Sequence, residues 1–157
     1  MVHGGFTLLE LIVVMLVVSI IAIVAIPRLS LNQAFVAAGF YDASKAMLRY
    51  AQKLAIAQRR DVYVNLVTAT GTLCLSYTTV DPACSGTASS TLVADPQNPG
   101  KRFAQVAPGG VRIDAAYSSF RFTGLGKPMP DAAYSLAVIG DDMARTITVE
   151  RETGYVH

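Results

Sequence analysis

The stretch GGFTLLELIVVMLVVSIIAIVAIPR, Gly4 to Arg28, decides how the rest of the chain is read. From Phe6 to Ile26 it runs 21 residues, with Thr7, Glu10 and Ser19 as its only polar members. As a helix rising about 1.5 Å per residue, it covers about 30 Å, the thickness of a hydrocarbon core. The sequence therefore predicts a membrane segment. An ordinary secretory signal has a basic start, a shorter apolar core and a small-residue cleavage site. Here no Lys or Arg precedes the run, and Pro27-Arg28 follows it. A plain signal anchor explains the length but leaves Glu10 unexplained. A carboxylate at mid-helix costs about 2.5–3.5 kcal/mol to insert, less near the interface, and calls for a partner in the membrane or in an assembly.

Composition points the same way. The 157-residue chain is 52% hydrophobic and 15% charged, with much of the apolar excess in its first 27 residues. That length suits one globular domain with an appendage. A net charge of +2 is too weak to imply nucleic acid by itself. Cys74 and Cys84, with nine residues between them, fit a disulfide in an oxidising compartment; two reduced thiols are the alternative.

Gly5-Phe6-Thr7-Leu8-Leu9-Glu10 resembles the class III signal of type IV pilins and type II secretion pseudopilins. The resemblance implies cleavage between Gly5 and Phe6 and N-methylation of Phe6, making residues 1–5 a leader. It further implies a helix-kinking role for Pro27 and contact with a prepilin peptidase that is also a methyltransferase. The leader MVHGG departs from the family in carrying no Lys or Arg. Cleavage would create an α-amino cation at Phe6, and stacked subunits could pair it with a neighbour's Glu10. Such a pair is far stronger in a low-dielectric bundle than in water. Glu10 is thus read as an assembly determinant. The implied units are residues 6–27 as membrane and assembly helix and residues 28–157 as a head outside the inner membrane. Arg28, Lys45, Arg49, Lys53, Arg59 and Arg60 follow the apolar run, so a positive-inside count alone would place the head in the cytoplasm. The cleavage motif and the cysteine pair favour the outside.

Past Pro27 the helix is expected to resume. Phe40, Ala43, Met47, Leu48, Ala51, Leu54 and Ala55 form one stripe, while Asp42, Lys45, Arg49, Gln52 and Lys53 form another, read as a solvated face. Strands are expected over 62–67, 72–77, 111–115, 120–123, 134–139 and 145–150, and a long surface loop over 81–101. A helix on mostly antiparallel strands is an α+β arrangement, which is also the lollipop shape of the pilin family.

Little in the sequence suggests catalysis. The histidines are His3 and His157, one in the leader and one at the last position, so no triad base is in place. Gly109-Gly110 and Gly124-Leu125-Gly126 read as turns, not phosphate loops, and Asp141-Asp142 makes only a weak calcium pair. No enzyme, cofactor or metal is expected.

The segment from Phe40 to Leu66 resembles the pseudopilin H and FimT group of minor pilins. LRYAQKLAIAQRRDVYV, the Cys74–Cys84 region, FTGLGKP (residues 122–128) and ITVERETGYVH resemble more closely the minor pilins of mannose-sensitive haemagglutinin (MSHA) pili. That resemblance implies other pilin subunits as partners and a role in pilus initiation or capping and in surface attachment. The alternatives are a DNA receptor for natural transformation and a secretion pseudopilin. The DNA-uptake relatives carry paired arginines in a basic tail, whereas Gly154-Tyr155-Val156-His157 has none and Glu150 and Glu152 flank Arg151. Nucleic acid is therefore disfavoured.

Overall fold

A computed structural model describes residues 7–78, 84, 91–140 and 143–157, leaving aside the side chains of residues 22–32. It opens with one helix, α1, Leu8–Gln58. Thr7 caps its start from an extended conformation, its hydroxyl accepting the Glu10 backbone N–H at 3.3 Å, and Glu10 sits in the acid-favouring first turn. At the other end the Arg59 N–H bonds to the Ile56 carbonyl and the Arg60 N–H to that of Ala55. This Schellman closure puts Arg59 in the left-handed region, φ 49°, where glycine is the favoured residue.

From residue 37 onward α1 has a buried side: Ala37, Phe40, Ser44, Met47, Leu48, Ala51 and Ala55 recur at helical spacing and face the strands. The strands follow as β1 (Val62–Val67), β2 (Thr72–Ser76), β3 (Ala104–Val106), β4 (Val111–Ala115), β5 (Ser119–Phe122), β6 (Pro128–Met129), β7 (Tyr134–Gly140) and β8 (Met143–Val149). They make two antiparallel sheets, ordered β3-β2-β1-β5-β6 and β4-β7-β8. The helix lies against both, and Phe122, Met47, Leu48, Leu73, Leu75, Ile147 and Val138 fill the space between.

The α+β expectation agrees with this architecture, and six of the eight strands fall within a residue or two of their expected bounds. β3 and β6, three and two residues long, carry too little pattern to read. The expected surface loop needs correction. Within 81–101, Leu92 pairs with Ser76, Ala94 pairs with Arg102, and Val93 is fully buried. Val93 donates to the Leu75 carbonyl, and Phe103 donates to that of Val93, so the segment extends the edge of β2. A stretch rich in turn residues entered the core because β2 had an open edge and one apolar side chain could fill it.

Cys74 is bonded to Cys84. Register places Cys74 opposite Asn65, and Asn65 opposite Ser119, so these side chains share the sheet face pointing away from the core. Alternation alone would leave that face wet. Cys74, Asn65 and Ser76 are instead fully buried or nearly so, with the Asn65 amide donating to the Ser76 hydroxyl at 3.0 Å. Cys84, bonded to Cys74, lies against this face, its Sγ 3.7 Å from the Asn65 carbonyl oxygen.

Candidate assembly interface

Gly5 and Phe6 lie outside the described residues, as do Asp141 and Asp142. Pro27 falls within the bounds of α1, but its side chain is among those left aside. The side of the N-terminal segment that can be described begins at Thr7. From Leu8 to Ile21 every side chain is exposed, with the large apolar ones from 46% to 78% open on all sides of the helix. A helix that is apolar all round belongs in lipid or inside a bundle of other helices. Ser19 satisfies its hydroxyl by donating to the Met15 carbonyl at 2.7 Å, so it adds no unmet polar group. Glu10 has no salt bridge among the described residues. Among those residues no helix is long and apolar enough to cross a membrane.

In the head, part of the face expected to be solvated works as a clamp. The Arg49 guanidinium donates to the Val156 carbonyl at 3.0 Å, and the Gln52 amide donates to the carbonyls of Gly126 and Thr153 at 3.2 and 2.9 Å. These bonds tie α1 to the 124–126 turn and to the C-terminal strap. Val156 is buried and bridges to Val149, while Thr148 and His157 exchange backbone bonds at 2.9 and 3.0 Å. Gly154, at φ +67°, has no room for a side chain: a Cβ there would lie 2.0 Å from the Gly126 carbonyl oxygen. Thr153-Gly154 is itself a turn signal in the sequence. The Gln52 amide and Arg49 guanidinium that grip it carry no such signal, because on a helix they read as solvated side chains.

Beside the strap, Asp131 accepts from Arg151 at 2.9 Å and lies 3.2 Å from Lys127, which also reaches Glu152 at 3.3 Å. The Arg151 and Lys127 contacts hold the Asp131 carboxyl down to about 2, and raise the pKa of both cations. Lys127 and Arg151, beside the tail, are therefore committed to carboxylates. A depressed carboxyl stabilises the fold above its unfolded pKa, near 3.8, and that contribution is lost as pH falls toward 2. Because the network is exposed, the effect is small. Asp131→Asn should lower the melting temperature at pH 7 by no more than about 2 °C, and the difference should vanish by pH 2 in a pH series of thermal melts.

Among the described residues no polar side chains converge on the cavity between the sheets. The cavity between the sheets, about 30 Å³, is lined by Leu48, Val64, Phe120, Leu136 and Ile147 among others and is nearly all apolar. Tyr134 beside it has its phenol pKa raised by burial and donates to the Pro130 carbonyl at 2.9 Å. Among the described residues no three His, Cys, Asp or Glu side chains are grouped to hold a metal.

Residues 1–26 match the family model described as the prokaryotic N-terminal methylation motif. By sequence, no curated protein matches the chain. The structure is similar to the type IV minor pilin FimU of Pseudomonas aeruginosa, at 18% identity and a TM-score of 0.50, over 80% of this chain and 87% of that one. It is also similar to EpsH, the minor pseudopilin of the Vibrio cholerae type 2 secretion system, at 15% identity and a TM-score of 0.54, over 74% and 90%. The chain therefore has a minor-pilin fold headed by a prokaryotic N-terminal methylation motif.

Proposed function

We propose that this chain is a minor subunit of a type IV pilus-like filament, built in through its N-terminal helix. One observation carries the reading: a methylation motif over residues 1–26 takes in the start of a helix that is apolar on every side from Leu8 to Ile21, and that helix ends in a head of minor-pilin fold. Water cannot be the final surroundings of Leu8–Ile21, and a filament bundle supplies the cover. In this reading the prepilin sits in the inner membrane through residues 6–27, leader inside and head outside. It is cut after Gly5, methylated on Phe6, and joined to its neighbour by an ion pair from Glu10 to a Phe6 amine. Pro27 bends the helix between the two environments. The subunit helps to initiate or cap a pilus of the MSHA type and so contributes to surface attachment.

A second reading, a minor pseudopilin of type II secretion, is supported by the likeness to EpsH. DNA reception is disfavoured, since Lys127 and Arg151 are already paired. The test is to shear filaments from cells expressing the chain and sequence its N-terminus by mass spectrometry. A peptide beginning at N-methylated Phe6 is expected, and an intact Met1 terminus in cells with a working peptidase would refute the proposal. Glu10→Gln should leave membrane insertion unchanged while lowering recovery in filaments by tenfold or more, as an unmatched amine is then left in the bundle. Recovery at the wild-type level would remove Glu10 from this role.

A further inference from the structure

Lys45, Arg49 and Lys53 follow one another at four-residue spacing on α1, so their charges climb the helix in steps of roughly 6 Å. None of them has an ion pair among the described residues, whereas Arg121, Lys127 and Arg151 each do. Two of the three are held in place by the fold. Arg49, still exposed, is fixed through Nε by its bond to the Val156 carbonyl. Lys45 is half-buried, with its ammonium 5.5 Å from the centre of the Tyr41 ring. Long cationic side chains lose rotamer freedom when they grip a ligand, and part of that loss is already incurred here.

Together with Asp42, Ala46 and Tyr50, the three cations line an open groove of about 470 Å³. A second groove of about 450 Å³ shares Ala46 and Tyr50 with it and runs between α1 and the 95–105 segment, where Asp95 and Gln97 line it. Both have the volume of a ligand site. Asp42 decides which anion suits them. It is exposed in the basic groove and has no ion pair among the described residues. A nucleic-acid or polyphosphate backbone would be repelled by that carboxylate, while a sugar hydroxyl would donate to it. Bases also find little to stack on. Tyr41 already carries Lys45, and Tyr50 packs edge-on against Phe103, ring centres 5.4 Å apart.

We propose that this face of α1 binds a linear acidic polysaccharide, with its carboxylates on Lys45, Arg49 and Lys53 and its hydroxyls on Asp42 and, across Tyr50, on Asp95. Its use in attachment rests on the filament reading above, for which it names the class of surface polymer, but binding itself needs only the folded head.

The test titrates the full chain, in an uncharged detergent, with an oligogalacturonate. A neutral malto-oligosaccharide and a single-stranded DNA oligomer serve as comparison probes. Saturable binding of the galacturonate is expected, weakened by salt and about tenfold or more tighter than that of either comparison probe. Lys45→Gln with Lys53→Gln should lower the affinity about tenfold or more while the melting temperature stays nearly unchanged. Asp42→Asn carries the sign. Loss of a hydroxyl acceptor should weaken galacturonate binding about threefold or more, whereas simple attraction of a polyanion to a basic face would gain from losing a negative charge. No binding, DNA bound as tightly as the galacturonate, indifference to the double substitution, or a gain from Asp42→Asn would overturn the site. The N-terminus and filament recovery are read separately. A chain that fails to bind yet enters filaments beginning at Phe6 leaves the filament reading standing, and one that binds but is uncut and absent from filaments overturns that reading alone.

Discussion

Gly154→Ala should destabilise the head by about 3–5 kcal/mol, the sum of left-handed strain and a forced rupture of the strap. The new methyl would lie 2.0 Å from the Gly126 carbonyl oxygen and 2.9 Å from the Gln52 amide. Backbone cannot yield as a flexible side chain can. Either the strap moves out, uncovering Val156, or the 124–126 turn does, breaking the Gln52 bonds that hold both. Thermal melting of the detergent-solubilised full chain should fall by 10 °C or more on the order-of-magnitude scaling for a domain of this size. Gly109→Ala, with nothing within 4 Å of its Cβ, is the matched control and should stay within about 0.5 kcal/mol of wild type. A Gly154→Ala head as stable as that control would mean that the strap is not part of the cooperative fold.

Removal of the Cys74–Cys84 bridge is the second large effect. Cys74→Ser with Cys84→Ser should cost about 2–4 kcal/mol through the unfolded-state entropy of the closed loop. A further loss comes from the sheet face beneath. Asn65 and Ser76 are buried on the face that Cys84 lies against, and the edge of β2 is completed by Leu92–Ala94 further along the chain. We expect the melting temperature to drop by on the order of 10 °C and amide exchange at residues 73–76 and 92–94 to accelerate, with α1 little changed. Reductant should reproduce the shift in the wild-type chain and leave the double variant unaffected. Equal protection of residues 92–94 with and without the bridge would show that backbone pairing alone anchors the segment.

What the sequence by itself determined were the features written in local order. The long apolar run after Gly5 set the first part of α1. The 3-4 spacing of Phe40, Met47, Leu48, Ala51 and Ala55 set which side of it is buried, and the alternation of 62–67, 134–139 and 145–150 set the strands. Each of these follows from a backbone period that neighbouring residues share, so it survives without knowledge of the partner. Glu10 could be singled out for the same reason: a charge in an apolar run is visible from its neighbours alone.

Only the tertiary structure decided the rest. Val93 gives no periodic signal, and its burial depends on an open edge contributed by β2, some twenty residues earlier. Cys74, Asn65 and Ser76 would face water by alternation and are instead buried on the face to which Cys84, ten positions later, is bonded. Arg49 and Gln52 look like solvated helix positions until the strap, more than 100 residues later, arrives with unpaired carbonyls. In each case the deciding quantity is the hydrogen-bond or contact need of a group distant in sequence, which no window of local pattern contains.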